Sequence, residues 1–399
     1  MDATSEHQRT VSSAERPQYY RPELDILRFV AFLMVFASHS VPGDIAFYGQ
    51  WKIPPSISHW IISLAASGAF GVDLFFALSS FLITTLLLRE QQSFSTINIS
   101  SFYIRRVLRI WPLYFVFLIV LAPLLDHWLS QPAMPLKYVI AFSLLAGNWA
   151  CVLWGYPHSV ASPLWSVSIE EQFYLIWPFL MRRWLHRLVS VGVLLLLVSF
   201  ITRWWLVSKG AEHPQIWCNT LARFDPIACG ALLAVVARRT DFVISARVRA
   251  LMVLLSFSLL AVIGRYGDYV GFKSLFTYPA VTLASISLIV CALASRLAPA
   301  PGLIAKTLVY LGRISYGLYV FHLAFVYKLG VWSTNGPIAR PAAMIAALSA
   351  TIAMAAISYG LLEHPFLRLK QRFTYVASEP EPVGVSSYVR EKSSRWLKV

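Results

Sequence analysis

The chain is short of charge, and shortest of negative charge. Only 13% of its 399 residues are Asp, Glu, Lys or Arg, while 57% are hydrophobic. A water-soluble domain of this length carries roughly twice that charged share, so an ordinary soluble enzyme is excluded. The mean hydropathy of +0.62 is that of a polytopic membrane protein. Asp and Glu number 19 against 34 Lys and Arg. A net charge of +15 would suggest nucleic acid in a soluble chain. In a membrane chain, cations gathered on cytoplasmic loops account for it, and no nucleic-acid partner is expected.

Cysteine is scarce. Cys151, Cys218, Cys229 and Cys291 form no CxxC pair or zinc spacing, so no metal site is expected. Either Cys151 and Cys218 meet as a disulfide outside the membrane, or all four are small apolar fillers. No basic segment followed by a short apolar run and a cleavage site opens the chain, so the first helix reads as an uncleaved anchor. GxSxG, HExxH, Walker A and Rossmann patterns are missing, which removes serine-hydrolase, zincin and nucleotide-fold readings. No internal repeat supports an inverted-repeat transporter.

What is present is apolar sequence in lengths that cross a bilayer, which takes about 20 residues. Ten such runs lie near 24–42, 69–88, 107–125, 164–181, 188–207, 219–237, 249–264, 275–295, 307–330 and 341–362. A shorter run, 138–152, sits between prolines. Leaving it out of the count puts Arg105, Arg106, Arg109, Arg182, Arg183, Arg238 and Arg239 on one side, as the positive-inside rule requires. The expected architecture is therefore an all-α, polytopic integral membrane protein of about ten transmembrane helices. Both termini are cytoplasmic, and 138–152 is re-entrant or interfacial. Residues 1–20 and 371–399 read as flexible cytoplasmic tails around a membrane domain at 21–370.

Ionisable residues inside these runs are costly unless they serve a partner, a cavity or a site. In "LDILRFVAFLMVFASHS", residues 24–40, helical spacing puts Asp25, Arg28 and His39 on one stripe, with about 16 Å between Arg28 and His39. The stripe is either a cap pair with a structural histidine or part of a site. Asp73, Glu170, Glu171, Gln172, Arg223 and Asp225 fall at the outer depth, so His39 is expected to face carboxylates. Arg28, Arg105, Arg106, Arg109 and Arg313, with Glu363 nearby, form a basic mouth at the cytoplasmic end, suited to a phosphate-rich ligand. Asp44 of "HSVPGD" reads as a loop residue. His322 of "YVFHLAF" suits acceptor contact and structural bonding equally.

A reaction joining a cytosolic anionic donor to an outside acceptor needs this polarity along one axis. Acyl transfer to a hydroxyl needs a base, and His39 is the candidate. Asp73, Glu170, Glu171 and Asp225 are the candidates to hold its tautomer. Tyr174, Tyr316 and Tyr319 are candidate oxyanion donors.

Together, these segments resemble the acyltransferase 3 family of bacterial membrane O-acyltransferases. The likeness rests on seven ordered motifs: the Arg28-x10-His39 helix, "GVDLFFALSSFLIT", "FYIRRVLRIWPLY", "WSVSIEEQFYLIWP", "RFDPIACGALLA", "LGRISYGLYVFH" and "LLEHPFLRL". The resemblance implies an inner-membrane enzyme with acyl-CoA, usually acetyl-CoA, as co-substrate and no tightly bound cofactor. It also implies a glycan or lipid-linked glycan hydroxyl as acceptor. By motif position, His39, Arg28, Glu170 and Glu171 are expected to be catalytic, and Asp73 joins the expected catalytic set as a candidate partner of His39. Arg28, Arg105, Arg106, Arg109 and Arg313 are expected to hold the donor. Trp165, Tyr174, Arg223, Asp225, Tyr316 and His322 are expected near the acceptor. Ser80, where the family often carries glycine, and Pro163-Leu164 before Trp165 depart from the pattern. The alternatives are a secondary transporter or exporter, and transfer of succinyl or a longer acyl chain.

Overall fold

The computed structural model describes residues 19–267, 269–295, 302–334 and 336–376. Among them there is no β-strand. That suits a bilayer, where a helix satisfies its own backbone polar groups. The first helix, α1 (Pro22–Ser40), opens with proline where a missing N–H costs nothing. Glu23 and Asp25 sit in its first turn, at the positive end of the helix dipole. It stops at Val41, whose N–H still reaches Ala37. Asp44 then caps α2 (Ile45–Gly49) by accepting from Ala46 N–H at 2.9 Å.

The next helix, α3 (Pro55–Ser67), is absent from the ten apolar runs, because its 13 residues fall short of a crossing. It leads through a tight turn into α4 (Gly71–Phe94), making one 40-residue helical stretch. Next, α5 (Ile99–Val116) and α6 (Ala122–Trp128) are continuous through a π-turn at Phe117–Leu121. The 138–152 run becomes α7 (Leu136–Ser143) and α8 (Gly147–Trp154). Each has eight residues, rises about 12 Å and is too short to cross.

Then come α9 (Trp165–Trp184), α10 (Leu188–Ser208), α11 (Phe224–Ala237), α12 (Ala246–Tyr266) and α13 (Ser274–Ala294). The 307–330 run is not one helix. It breaks at Ile314 into α14 (Leu303–Arg313) and α15 (Ser315–Lys328), bent by 77°. Last are α16 (Ala339–Ser358), a π-turn at Tyr359–Glu363, and α17 (His364–Lys370).

Six of these helical stretches are long and apolar enough to cross a membrane among the described residues, or seven with the bent pair. Of the remaining expected crossings, α1 carries Glu23, Asp25 and Arg28, and α11 has only 14 residues. The chain is an all-α membrane protein.

Small residues set the closest helix contacts, as expected where lipid gives no hydrophobic drive between helices. Gly230 of α11 lies on the Ala77 carbonyl and Ser80 of α4, where a Cβ would collide. The glycine of this close approach is on α11, while α4 carries Ser80. Gly312 of α14 likewise meets the Asp25 carbonyl of α1, and Gly264 of α12 meets that of Ser63 in α3. Tyr19 and Tyr20 already belong to the folded body, packing on Arg89 and Arg313. The remainder of the expected tails, 1–18 and 377–399, lies outside the described residues.

Candidate active site

A cavity opens between α1, α4, α5, α9 and α15. Arg28 enters it from α1, Arg106 and Arg109 from α5, Ser79 from α4, Glu170 and Tyr174 from α9, and Ser315, Tyr316 and Tyr319 from α15. Tyr19, Tyr20 and Arg21 stand at its Arg28 end. The break at Ile314 puts the first turn of α15 on this wall.

The arginines expected to act as one basic mouth differ in what they hold. Arg28 donates to Asp25 at 2.8 Å, and Asp25 also accepts from Tyr20 at 3.1 Å. Arg313 donates to Tyr20 at 2.9 Å and stands 4.0 Å from Asp25. Arg105 turns away from the cavity, donating to Glu90 at 3.0 Å and to the Phe373 carbonyl at 2.8 Å. It ties α5 to the turn that follows α17 and does not line the cavity. Arg106 and Arg109 line the cavity and pair with no carboxylate among the described residues; Arg106 lies over the rings of Phe102 and Tyr174.

The carboxylates do not gather around His39. Glu170 accepts from Ser79 and Tyr174, each at 3.0 Å, inside the cavity that holds the arginines. Glu171 accepts from Trp111 at 3.0 Å. Gln172 bonds Asn148, Leu145 and Thr220, fastening α8 and the chain before α11 to α9. Asp73 receives Arg223 at 2.8 Å, and Asp225 pairs with Arg203 of α10. Arg223 is fully buried between the rings of Trp217 and Tyr278, at 4.2 and 4.9 Å. These two ion pairs fasten α4, α10 and α11 together. Neither arginine lines the cavity. Trp165, packed on Trp217, is buried outside it as well.

His39 is partly exposed at the other end of α1. Its Nδ1 lies 2.9 Å from the Val35 carbonyl. A carbonyl only accepts, so Nδ1 carries the proton and Nε2 is left with a free lone pair. Trp332 holds the same turn by donating to the His39 carbonyl. The ring against His39 is that of His322, at 5.1 Å between centroids. The Tyr319 ring packs on His322 at 5.6 Å, and Tyr319 also lines the cavity. The expected carboxylate neighbour is therefore a second imidazole, because each acid is held by a donor of its own.

Sequence reasoning passed over Ser79 and Ser166. Ser166 bonds the Tyr319 hydroxyl at 2.8 Å, and both line the cavity. A lone serine in an apolar helix is an ordinary packing residue, so only its neighbours single it out. The four cysteines are free, and no group of three metal-ligating side chains occurs among the described residues.

A family model described as an acyltransferase domain matches residues 21–362. The chain belongs to the acyltransferase 3 family. It is 26% identical over 400 aligned residues to the O-acetyltransferase OatA of Staphylococcus aureus (strain NCTC 8325 / PS 47), covering 92% of this chain and 60% of OatA. It is also 26% identical over 375 residues to SAS0844 of S. aureus (strain MSSA476), whose name carries a provisional O-acetyltransferase assignment. That match covers 87% of this chain and 57% of SAS0844. The chain thus spans about three fifths of the length of the curated relatives it matches. No solved structure matches it.

Proposed function

We propose that this chain is an O-acyltransferase of the bacterial inner membrane. In this reading it takes an acetyl group from cytosolic acetyl-CoA and delivers it to a hydroxyl of an extracytoplasmic glycan, free or lipid-linked. The chain crosses about ten times with both ends inside, and the Arg28 end of α1 faces the cytoplasm. The observation that carries the donor assignment is the pair Arg106 and Arg109. Two guanidinium groups in one cavity without a carboxylate partner call for an anion from outside, and the phosphates of CoA supply it. Arg28 completes that end.

His39 is the base. The Val35 carbonyl fixes its tautomer, so the lone pair of Nε2 takes the acceptor proton as the hydroxyl oxygen attacks the thioester carbonyl. Tyr319, Tyr316 and Tyr174 line the cavity, and to act as the oxyanion donor any of them would have to release its present acceptor, the Pro163 carbonyl, the Ile110 carbonyl or Glu170. Radiolabelled acetyl-CoA supplied to membranes that contain their own acceptor tests the assignment. Wild type should label envelope glycan, and His39→Ala should lower the rate at least about a thousandfold. Undiminished labelling by the variant removes His39 from the mechanism.

The second reading, a secondary transporter or exporter, gains from the break at Ile314, since discontinuous helices line transporter sites. Movement of a solute across vesicles without any label transfer would favour it.

A further inference from the structure

In hydrolytic triads a carboxylate stabilises the imidazolium of the base. Among the described residues His39 has none: Asp73, Asp225, Glu170 and Glu171 are bonded to Arg223, Arg203, Ser79 with Tyr174, and Trp111. What touches it is His322, fully buried, whose Nδ1 lies 2.6 Å from the Tyr319 carbonyl. By the same logic as for His39, that nitrogen carries the proton. The Nε2 lone pair of His322 is buried with no hydrogen-bond partner. An unpaired buried acceptor is costly and unusual in a native fold. Two further rings pack against it, Phe32 of α1 at 6.3 Å and Tyr319 at 5.6 Å between ring centroids.

Two neutral imidazoles locked in this way cannot bond to each other, since neither has a second N–H to give. Protonation of His39 changes that. An in-line N–H···N bond holds two imidazole centroids about 5 Å apart, the separation that these rings already have, at 5.1 Å. We infer that His322 is the positioning residue of the base: its orphan Nε2 accepts the N–H that His39 gains from the acceptor hydroxyl.

The inference rests on the reading of His39 as the base. In the step, the hydroxyl O–H breaks and its proton goes to His39 Nε2. The oxygen forms a bond to the acyl carbon, and the C–S bond breaks with its electron pair on the CoA sulfur. The new N–H turns from the departing ester oxygen to the His322 lone pair, which holds the imidazolium until the thiolate takes the proton to give CoA–SH. The bond exists only after proton transfer has begun, so it lowers the barrier without tightening substrate binding.

The test compares two variants of the full chain in native membranes, again with radiolabelled acetyl-CoA. His322→Asn keeps a donor near the Nδ1 position and leaves nothing at Nε2. His322→Gln puts an amide oxygen where Nε2 was. The Asn variant should lose roughly 10–100-fold in kcat, the worth of a hydrogen bond to a charged group, with the KM for acetyl-CoA unchanged. The Gln variant should recover most of that loss. Equal rates for Asn and wild type overturn the inference. So does a Gln variant as slow as Asn, which makes His322 a packing residue, or a loss that appears only in KM. His39→Ala separates the two levels. If it still transfers label, the reading of His39 as base fails. If it does not, while both His322 variants match wild type, only the inference fails.

Discussion

Two regions of the molecule hold arginines among apolar helices, and they use them in opposite ways. Around α11, Arg203 and Arg223 are wholly buried and each has its own carboxylate, Asp225 and Asp73. In the cavity, Arg106 and Arg109 have none among the described residues. A buried pair is bound to its place, because removing one partner strands the other charge in low dielectric. A guanidinium on a cavity wall, with no protein anion to hold it, is available to a ligand. The difference is one of partners, since the residue type is the same.

The comparison breaks most sharply at Arg223. Arg223→Ala should cost about 3–5 kcal/mol of stability by leaving Asp73 buried and alone, read as a lower midpoint of thermal unfolding in detergent. Replacing both partners, Arg223→Met with Asp73→Leu, should restore most of it. A stable single variant would mean that the outer pairs do not fasten the helices. In the cavity the effect should fall on binding: Arg109→Ala should raise the KM for acetyl-CoA about tenfold, close to 1.4 kcal/mol. Its unfolding midpoint should stay at the wild-type value, and an equal fall in stability would erase the contrast. Arg105 offers the smallest effect. Arg105→Lys keeps the charge beside Glu90 and loses the bond to Phe373, so it should cost about 1 kcal/mol of stability. The KM for acetyl-CoA should stay within about twofold of wild type, and a large rise would return Arg105 to the mouth.

Much of the fold was legible as hydropathy. The runs that became α4, α5, α9, α10, α12, α13 and α16 were evident from apolar length, and the short 138–152 element from its prolines and from charge on the neighbouring loops. α3 was not, because a helix of 13 residues falls below the threshold that length sets. The break at Ile314 was hidden too: "LGRISYG" contains no proline, and the close approach of Gly312 to the Asp25 carbonyl of α1, just before the bend, is a contact between distant segments. In the site, Arg28 of α1 and Arg106 and Arg109 of α5 line one cavity, and charge inside apolar runs is what singled them out. Their assortment was not readable, since Arg105 and Arg106 are adjacent in sequence and face different partners.

The amino-acid sequence by itself determined that this is an all-α membrane protein of the acyltransferase 3 family, because apolar length and motif order are local properties of the chain. Only the tertiary structure decided which charges are satisfied. Glu170 went to the arginine cavity, Asp73 and Asp225 went to arginines of their own, and His39 was left against His322. Pairing within a bilayer is decided by which helix faces which, and one sequence carries no record of its neighbours across the bundle.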